Sequence, residues 1–348
     1  MSILNFNNKK EVKEYEEFLN SYKNYNFMQD LKWKDVKRNW NYEVVYLKEN
    51  NKIYAGMLIL IKKIPHTNIS LMYSPRGPVC DIYNIEVVNK LILEAKPLAK
   101  KYNAYSLTFD PGVVYSKELD TLYKNNKYKT TGPNPNPDSL IQPRYEAKIY
   151  LKDNNIEDLM KSFRGKTRYN IRLAEKNNVK VTYSHKESDL KEFYKLYKIT
   201  SERDKIGLRT YEYLENMLKV YNEDELRIYL TKHEDDYLSG AIAIRKGNEV
   251  YYAYGASSNN KRNLMPNYVM QKEMIKWAIE TKCRTYSFGG VINNNPNDGL
   301  YKFKIGFCRD YGYEECIGEI SKVYKPIIFF TVKNLLIIKK KISRIIKK

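Results

Sequence analysis

The chain has 348 residues, 43% hydrophobic and 14% aromatic, with only 15 Gly and 12 Pro; this supports about two packed globular domains and excludes a disordered, collagen-like or linker-rich chain. The 61 Lys and Arg against 41 Asp and Glu leave a formal charge of +20, which favours an anionic partner: nucleic acid, a phosphorylated substrate or an acidic membrane. Four cysteines without CxxC spacing and three histidines exclude a recognisable zinc or disulfide framework, so Cys80, Cys283, Cys308 and Cys316 are expected to be buried, reduced thiols.

The opening residues Met1–Lys10 lack the apolar core of a secretory signal and no stretch is apolar for long enough to span a bilayer, so a cytoplasmic protein is expected. A helix is predicted around Glu11–Tyr22, then strands at Tyr42–Lys48 and Ile53–Leu60 across the Asn-rich turn Glu49–Lys52, and a short strand around Met72. Val87, Val88, Leu91 and Ala95 give Ile85–Lys101 a helical spacing, followed by a strand at Ser106–Phe109 and the breaker Pro111-Gly112. Alternating prolines make Gly132–Asp138 a loop. Past it the order recurs. Helices are predicted at Ser188–Thr200 and Tyr211–Val220, strands at Leu226–Thr231, Ser239–Arg245 and Val250–Tyr254, and a Gly-Asn hairpin at Lys246–Glu249. Pro266 opens a helix whose Met270, Met274, Trp277 and Ala278 share a face, before a strand at Thr285–Phe288 and the pair Gly289-Gly290. The element order predicts an α/β chain whose two halves share one plan.

Charge is concentrated in two places. Lys161, Arg164, Lys166, Arg168, Arg172, Lys176 and Lys180 stand in one run with a single acid, Glu175. As a helix this run stacks Arg164, Arg168 and Arg172 at four-residue intervals, a phosphate-facing stripe or a plain solvated face. After Glu319 no acid remains, and Ile328, Leu335, Ile338, Ile342 and Ile345 fall on one stripe with Lys333, Lys340, Arg344 and Lys347 elsewhere. This basic amphipathic helix suits either docking on the body of the protein or contact with an anionic membrane through residues 325–348.

Gx4GK[ST] and GxGxxG are both absent, so neither phosphate-binding fingerprint is present. Several segments taken in order resemble the Fem peptidyltransferases, which use aminoacyl-tRNA to build the interpeptide branch of peptidoglycan. They are Phe27-Met28-Gln29 with Trp33, Lys37 and Trp40; Tyr73–Val79; Ile141-Gln142-Pro143; Arg164–Lys176; Arg203-Asp204 with Arg209 and Tyr213; Tyr252–Ser257 with Pro266; Ser287–Val291; and Gly299–Phe307. The resemblance implies two tandem acetyltransferase-like (GNAT) α/β domains in the compact form without a long helical arm. Their expected spans are 1–147 with 316–348, the acceptor side, and 148–315, the aminoacyl-tRNA side, with the C-terminal helix returning to the first. The segment Ser258–Met265 lacks the glycines that a CoA pyrophosphate loop would use, which counts against acyl-CoA.

The resemblance also implies the chemistry: the side-chain amine of the third stem-peptide residue attacks an aminoacyl-tRNA ester. The acceptor is a muramyl-pentapeptide diphosphate, lipid II or its UDP-linked precursor, and no metal or organic cofactor is required. Lys37 and Arg209 are similar to the family's diphosphate ligands, with Tyr213, Tyr252 and Tyr254 as hydrogen-bonding neighbours. The plain alternatives are a surface charge for Lys37 and an ion pair with Asp204 for Arg209. Lys304 resembles the lysine facing the aminoacyl end, and Phe303 the ring that stacks on the terminal nucleotides, unless Phe303 and Phe307 are core residues of an edge strand. Asp110 resembles an aspartate near the reaction centre, although Asp-Pro-Gly is also turn chemistry. Arg164, Lys166, Arg168, Arg172 and Lys302 are the candidate tRNA contacts. Two rival classes stand beside this reading: another amide-forming transferase of the same fold, using acyl-CoA or modifying proteins from aminoacyl-tRNA, and a non-catalytic RNA-binding module.

Overall fold

The computed structural model describes residues 2–22, 25–133, 135, 140–151, 155–291, 297–310 and 312–346; within the predicted proline loop, residues 134 and 136–138 lie outside them. The chain forms two compact units, residues 1–144 with 315–348 and residues 145–314.

The first unit opens with α1 (Lys9–Tyr22) and the short α2 (Trp33–Val36), followed by the hairpin of β1 (Asn41–Glu49) and β2 (Lys52–Lys63). Asn50 and Asn51 hold the hairpin turn with φ of 47° and 61°, a left-handed pair that Asn tolerates better than most residues. From Ala55 to Ile61 every residue of β2 is buried, because both faces of the strand are covered. Next come β3 (Ser70–Ser74), α3 (Ile85–Lys101), β4 (Ala104–Phe109), α4 (Lys117–Asn125) and β5 (Lys129–Thr130). β3 and β4 run parallel, joined by α3, whose Val88, Leu91, Ile92, Ala95 and Leu98 face the sheet.

The second unit contains β6 (Tyr145–Tyr150), α5 (Ile156–Ser162), α6 (Gly165–Lys176), β7 (Lys180–Ser184), α7 (Glu187–Asp204) and α8 (Tyr211–Val220). It continues through β8 (Leu226–His233), β9 (Asp236–Lys246), β10 (Glu249–Ser257), α9 (Pro266–Glu280), β11 (Thr285–Val291), α10 (Gly299–Phe307) and β12 (Tyr313–Glu315). The sheet order is β12-β6-β11-β10-β9-β8-β7. Here too one parallel pair, β10 and β11, is bridged by a helix, α9, with Met270, Met274, Trp277 and Ala278 buried. α7 covers the other face, where Phe193 lies over Gly240. α7 and α8 are 18 and 10 residues long, and no extended arm occurs among the described residues of this region.

The chain then returns to the first unit. β13 (Ile320–Val323) enters its sheet between β4 and β5, giving the order β1-β2-β3-β4-β13-β5, and α11 (Pro326–Ile346) follows. Backbone amides of Tyr324 and Lys325 reach the Tyr105 carbonyl at 2.9 and 3.0 Å, and Phe329 packs on the Tyr105 ring. Beyond that anchor Leu335, Ile338 and Ile342 are more than half exposed. No helix among the described residues is long and apolar enough to cross a membrane. All four cysteines are buried and free.

Candidate functional site

In each unit a strand that follows a crossover helix ends among polar groups, the place where open α/β sheets present side chains to ligands. In the first unit that strand is β4, and Asp110 follows its last residue. The buried carboxylate accepts hydrogen bonds from the Tyr73 hydroxyl and the Arg76 amide, both at 2.7 Å. Burial pushes its pKa up to about 6, against the Arg76 charge and those hydrogen bonds, which favour the carboxylate. The same burial beside Asp110 raises the Tyr73 hydroxyl well above its ordinary value, so Tyr73 remains a donor. Asp110 is therefore a buried carboxylate fixed by two hydrogen bonds.

The Tyr73–Val79 segment is held from the other side by Gln29. Its amide nitrogen donates to the Pro75 carbonyl at 2.7 Å and to Ser74 Oγ at 3.0 Å, while its oxygen accepts from the Leu58 amide at 3.0 Å. A side chain at Gly77 would strike Ser74 and the Gln29 amide, the latter at 2.7 Å, so only glycine lets that amide approach. Gln29 precedes α2, at whose C-cap stands Lys37. The Lys37 ammonium lies 4.8 Å from the Trp33 ring centre, half-buried, and Trp33 packs edge-on against Phe27. Two distant sequence motifs thus build one substructure.

In the second unit Thr210 caps α8 by accepting from the Tyr213 amide at 3.2 Å. This places Arg209 just ahead of the helix and Tyr213 in its first turn, with the guanidinium 5.3 Å from the Tyr213 ring. Tyr254 adjoins both and packs edge-on against Tyr197 of α7. Burial and the Tyr254 neighbour raise the Tyr213 hydroxyl, which stays neutral. Tyr252 does not join this group. A bulge in β10 sets Tyr252 opposite Ala243 but Tyr254 opposite Ile242, so the two rings leave the sheet on different faces. Tyr252 packs against the core cluster that α9 covers. The alternative ion pair for Arg209 also fails: Asp204 binds the neighbouring Arg203 at 2.8 Å. Arg203 further donates to the Ser257 carbonyl and Asn259 Oδ1, each at 3.1 Å, filling the stretch where a pyrophosphate loop would present amides.

β11 carries the other strand end. Ser287 faces Lys148 and Gly290 faces Glu146, so Phe288 and Gly289 stand against the single Ala147 of β6. This bulge needs Gly289, whose φ is +71°. It turns the Gly290 carbonyl towards α10, where Lys304 donates to it at 2.7 Å. Lys304 is only 6% exposed. Burial brings its ammonium down to about 8, with Glu146 and Cys308 acting the other way. The segment Tyr301–Phe307 is helical and not an edge strand, because Asp298 caps it by accepting from the Tyr301 amide at 2.7 Å. Phe307 is a core residue at 1% exposure, while Phe303 is half-buried with its ring edge-on to Tyr268 at 5.0 Å.

The basic run is not one helix. α5 ends at Ser162, and Arg164 is the N-cap of α6, its amide bonded to the Gly306 carbonyl at 2.9 Å. Arg164, Lys166, Arg172 and, on α10, Lys302 are exposed. Arg168 departs from the expected stripe: its guanidinium donates to the carbonyls of Lys161 and Phe163, the orphan acceptors at the end of α5. The residues that sequence reasoning passed over are Glu146, Ser287 as its partner, and Gln29 as a structural tie. A lone acid in a strand gives no pattern to find. Among the described residues no group of His, Cys, Asp and Glu could hold a metal ion.

Comparison with known proteins places these features. A sequence model of the FemAB family matches residues 11–234 and 224–336. The UDP-N-acetylmuramoylpentapeptide-lysine N(6)-alanyltransferase of Weissella viridescens is 33% identical over 334 residues, 94% of this chain and 98% of that protein. The lipid II:glycine glycyltransferase of Staphylococcus epidermidis is 31% identical, covering 92% of this chain and 94% of its own. Among solved structures, FemX superposes with a TM-score of 0.84 at 28% identity, over 96% of this chain and all of its own. A tandem GNAT protein from the clavulanic acid pathway, at 8% identity, TM-score 0.53 and coverages of 91% and 96%, shares the fold alone. With this end-to-end match and two tandem GNAT-like units, the chain belongs to the FemAB family.

Proposed function

We propose that this protein is an aminoacyltransferase that moves an amino acid from aminoacyl-tRNA to the side-chain amine of the third stem-peptide residue of a peptidoglycan precursor, forming the interpeptide bridge. The observation that carries this reading is the likeness, over 94% of the chain, to a transferase named for making such a bond. The amine attacks the ester carbonyl; the new C–N bond forms, the ester C–O bond breaks, and the tRNA hydroxyl leaves with a proton that the amine gives up. An aminoacyl ester is already activated, so alignment and charge stabilisation supply most of the catalysis. Lys304, held on the Gly290 carbonyl, stabilises the developing oxyanion as an ammonium. Asp110, fixed by Tyr73 and Arg76, orients the amine or takes its proton.

Lys37 and Arg209 are the diphosphate ligands in this reading, with Tyr213 and Tyr254 beside Arg209. Phe303 stacks on the terminal nucleotides, worth about 1–3 kcal/mol for any base. Arg164, Lys166, Arg172 and Lys302 meet the tRNA backbone, and Arg168 supports them by joining α5 to α6. In this reading the first unit contributes Lys37 and Asp110, and the second contributes Arg209 with its tyrosines, Lys304 and the tRNA contacts. The exposed apolar turns of α11 and their lysines favour a lipid-linked acceptor, met at the cytoplasmic face of an anionic membrane.

The test is mass spectrometry of a muramyl-pentapeptide incubated with the protein and a pool of charged tRNAs. A mass gain of one aminoacyl residue at the third position is expected, and Lys304→Ala should remove it while leaving the fold intact. Transfer from acyl-CoA instead, or RNA binding that does not distinguish charged from uncharged tRNA and yields no product, would overturn the reading. Flotation with anionic liposomes, before and after deletion of residues 333–348, tests the membrane contact.

A further inference from the structure

We propose that Glu146 is a positioning residue for Lys304: its buried carboxylate, oriented by Ser287 across the β6–β11 bulge, holds the Lys304 ammonium charged and aimed along the Gly290 carbonyl. This inference rests on the catalytic role given to Lys304 above. Glu146 is 2% exposed and sits opposite Gly290 in the strand register, the residue whose carbonyl receives the Lys304 ammonium at 2.7 Å. Its Oε1 accepts from the Ser287 hydroxyl at 2.8 Å. A carboxylate buried to this degree is costly unless cations and donors serve it; the Lys148 ammonium stands 3.8 Å away, and the register brings the Gly290 carbonyl, which receives Lys304, to the same place.

Among the described residues, the charged and titratable groups near Lys304 come from three strands and the C-cap of α10. β6 contributes Glu146 and Lys148, whose ammonium is 3.8 Å from Glu146 and 3.3 Å from Glu249 of β10. Cys308, which follows α10, is held neutral by burial, with Glu314 of β12 acting on that thiol. From α6 the neutral Thr167 faces Gly306. Glu146 is the leading influence that opposes the desolvation of Lys304. Were it neutral, the ammonium would lose its proton at lower pH, and a neutral amine stabilises an oxyanion less well.

The experiment follows initial transfer rates from pH 6 to 9, using the UDP-linked muramyl-pentapeptide and whichever charged tRNA gives product. In the wild type the alkaline limb of kcat/KM reports Lys304 in the free enzyme. Glu146→Gln is expected to move that limb about one pH unit lower, and Glu146→Asp to restore most of it. Ser287→Ala, which keeps the carboxylate but loosens it, should move the limb the same way by less, and it serves as the test if Glu146→Gln fails to fold. An unmoved limb in folded Glu146→Gln, or in Ser287→Ala where that variant stands in, overturns the proposal. Lys304→Ala is run alongside: wild-type turnover there rejects the catalytic role of Lys304 itself, whereas an inactive Lys304→Ala with an unmoved limb rejects only the part given to Glu146.

Discussion

Replacing Lys304 by Met should abolish transfer and also change how stability depends on pH. Burial brings the Lys304 ammonium from its ordinary 10.5 to about 8 in the folded protein. Between those values the unfolded chain holds a proton that the native chain lacks, so wild-type stability rises with pH across this window and is lowest below it. The native-state penalty is about 3 kcal/mol at pH 7 and under about 1 kcal/mol at pH 10. Methionine fills nearly the same volume without the charge, but it leaves the Gly290 carbonyl without its donor, a cost of about 1–3 kcal/mol that does not vary with pH. The stability gap between variant and wild type should therefore shift by about 2.5 kcal/mol towards the wild type from pH 7 to pH 10. Groups common to both proteins cancel in that difference. Trp277 is the one tryptophan of the second unit, with Trp33 and Trp40 in the first. Urea unfolding followed by Trp277 fluorescence, in a Trp33→Phe, Trp40→Phe background, isolates the relevant transition. A gap that stays constant with pH would refute the argument that Lys304 is a desolvated ammonium.

Gln29→Ala removes the amide that joins Leu58, Ser74 and Pro75; the buried partners left unpaired plus a cavity should cost the first unit about 3–5 kcal/mol, read as a lower Tm by Trp33 fluorescence. Tyr254→Phe should weaken muramyl-pentapeptide binding about five- to tenfold in calorimetry, whereas Tyr252→Phe, on the other face of the sheet, should leave affinity unchanged. Arg172→Ala should reduce the salt slope of tRNA binding by about 1, the signature of a lost phosphate contact. Arg168→Ala should instead lower thermal stability, by about 1–3 kcal/mol, since it strips the carbonyls at the end of α5 of their donor.

What could be read in advance were the features whose cause is local. The spacing of Val88, Leu91 and Ala95, the Asn50-Asn51 turn and Pro266 at the first position of α9 each impose a conformation on their own neighbours, so the two β-α-β crossovers were legible. The site was legible only as a scatter of motifs, because what unites them is contact across the chain: Gln29 joins its segment to Tyr73–Val79 over 45 residues, and nothing in either segment states the pairing. Two placements that regular geometry would not give have the same physical root. Tyr252 and Tyr254 share a face if β10 is regular, and a single extra residue at Ala253 sends them apart. Arg168 belongs to an exposed stripe if its helix is continuous, and the break at Phe163 creates orphan carbonyls that draw its guanidinium inward. Glu146 is the limiting case. It offers no period, no spacing and no motif partner within reach, and its significance arises only when a bulge far along the chain brings Gly290 opposite it and α10 lays Lys304 on that carbonyl. Pattern recovers the scaffold because burial repeats at fixed intervals; the electrostatic environment of a buried group such as Lys304 is assembled from single residues at irregular places, and it is defined by the deviations from regular geometry that no period encodes.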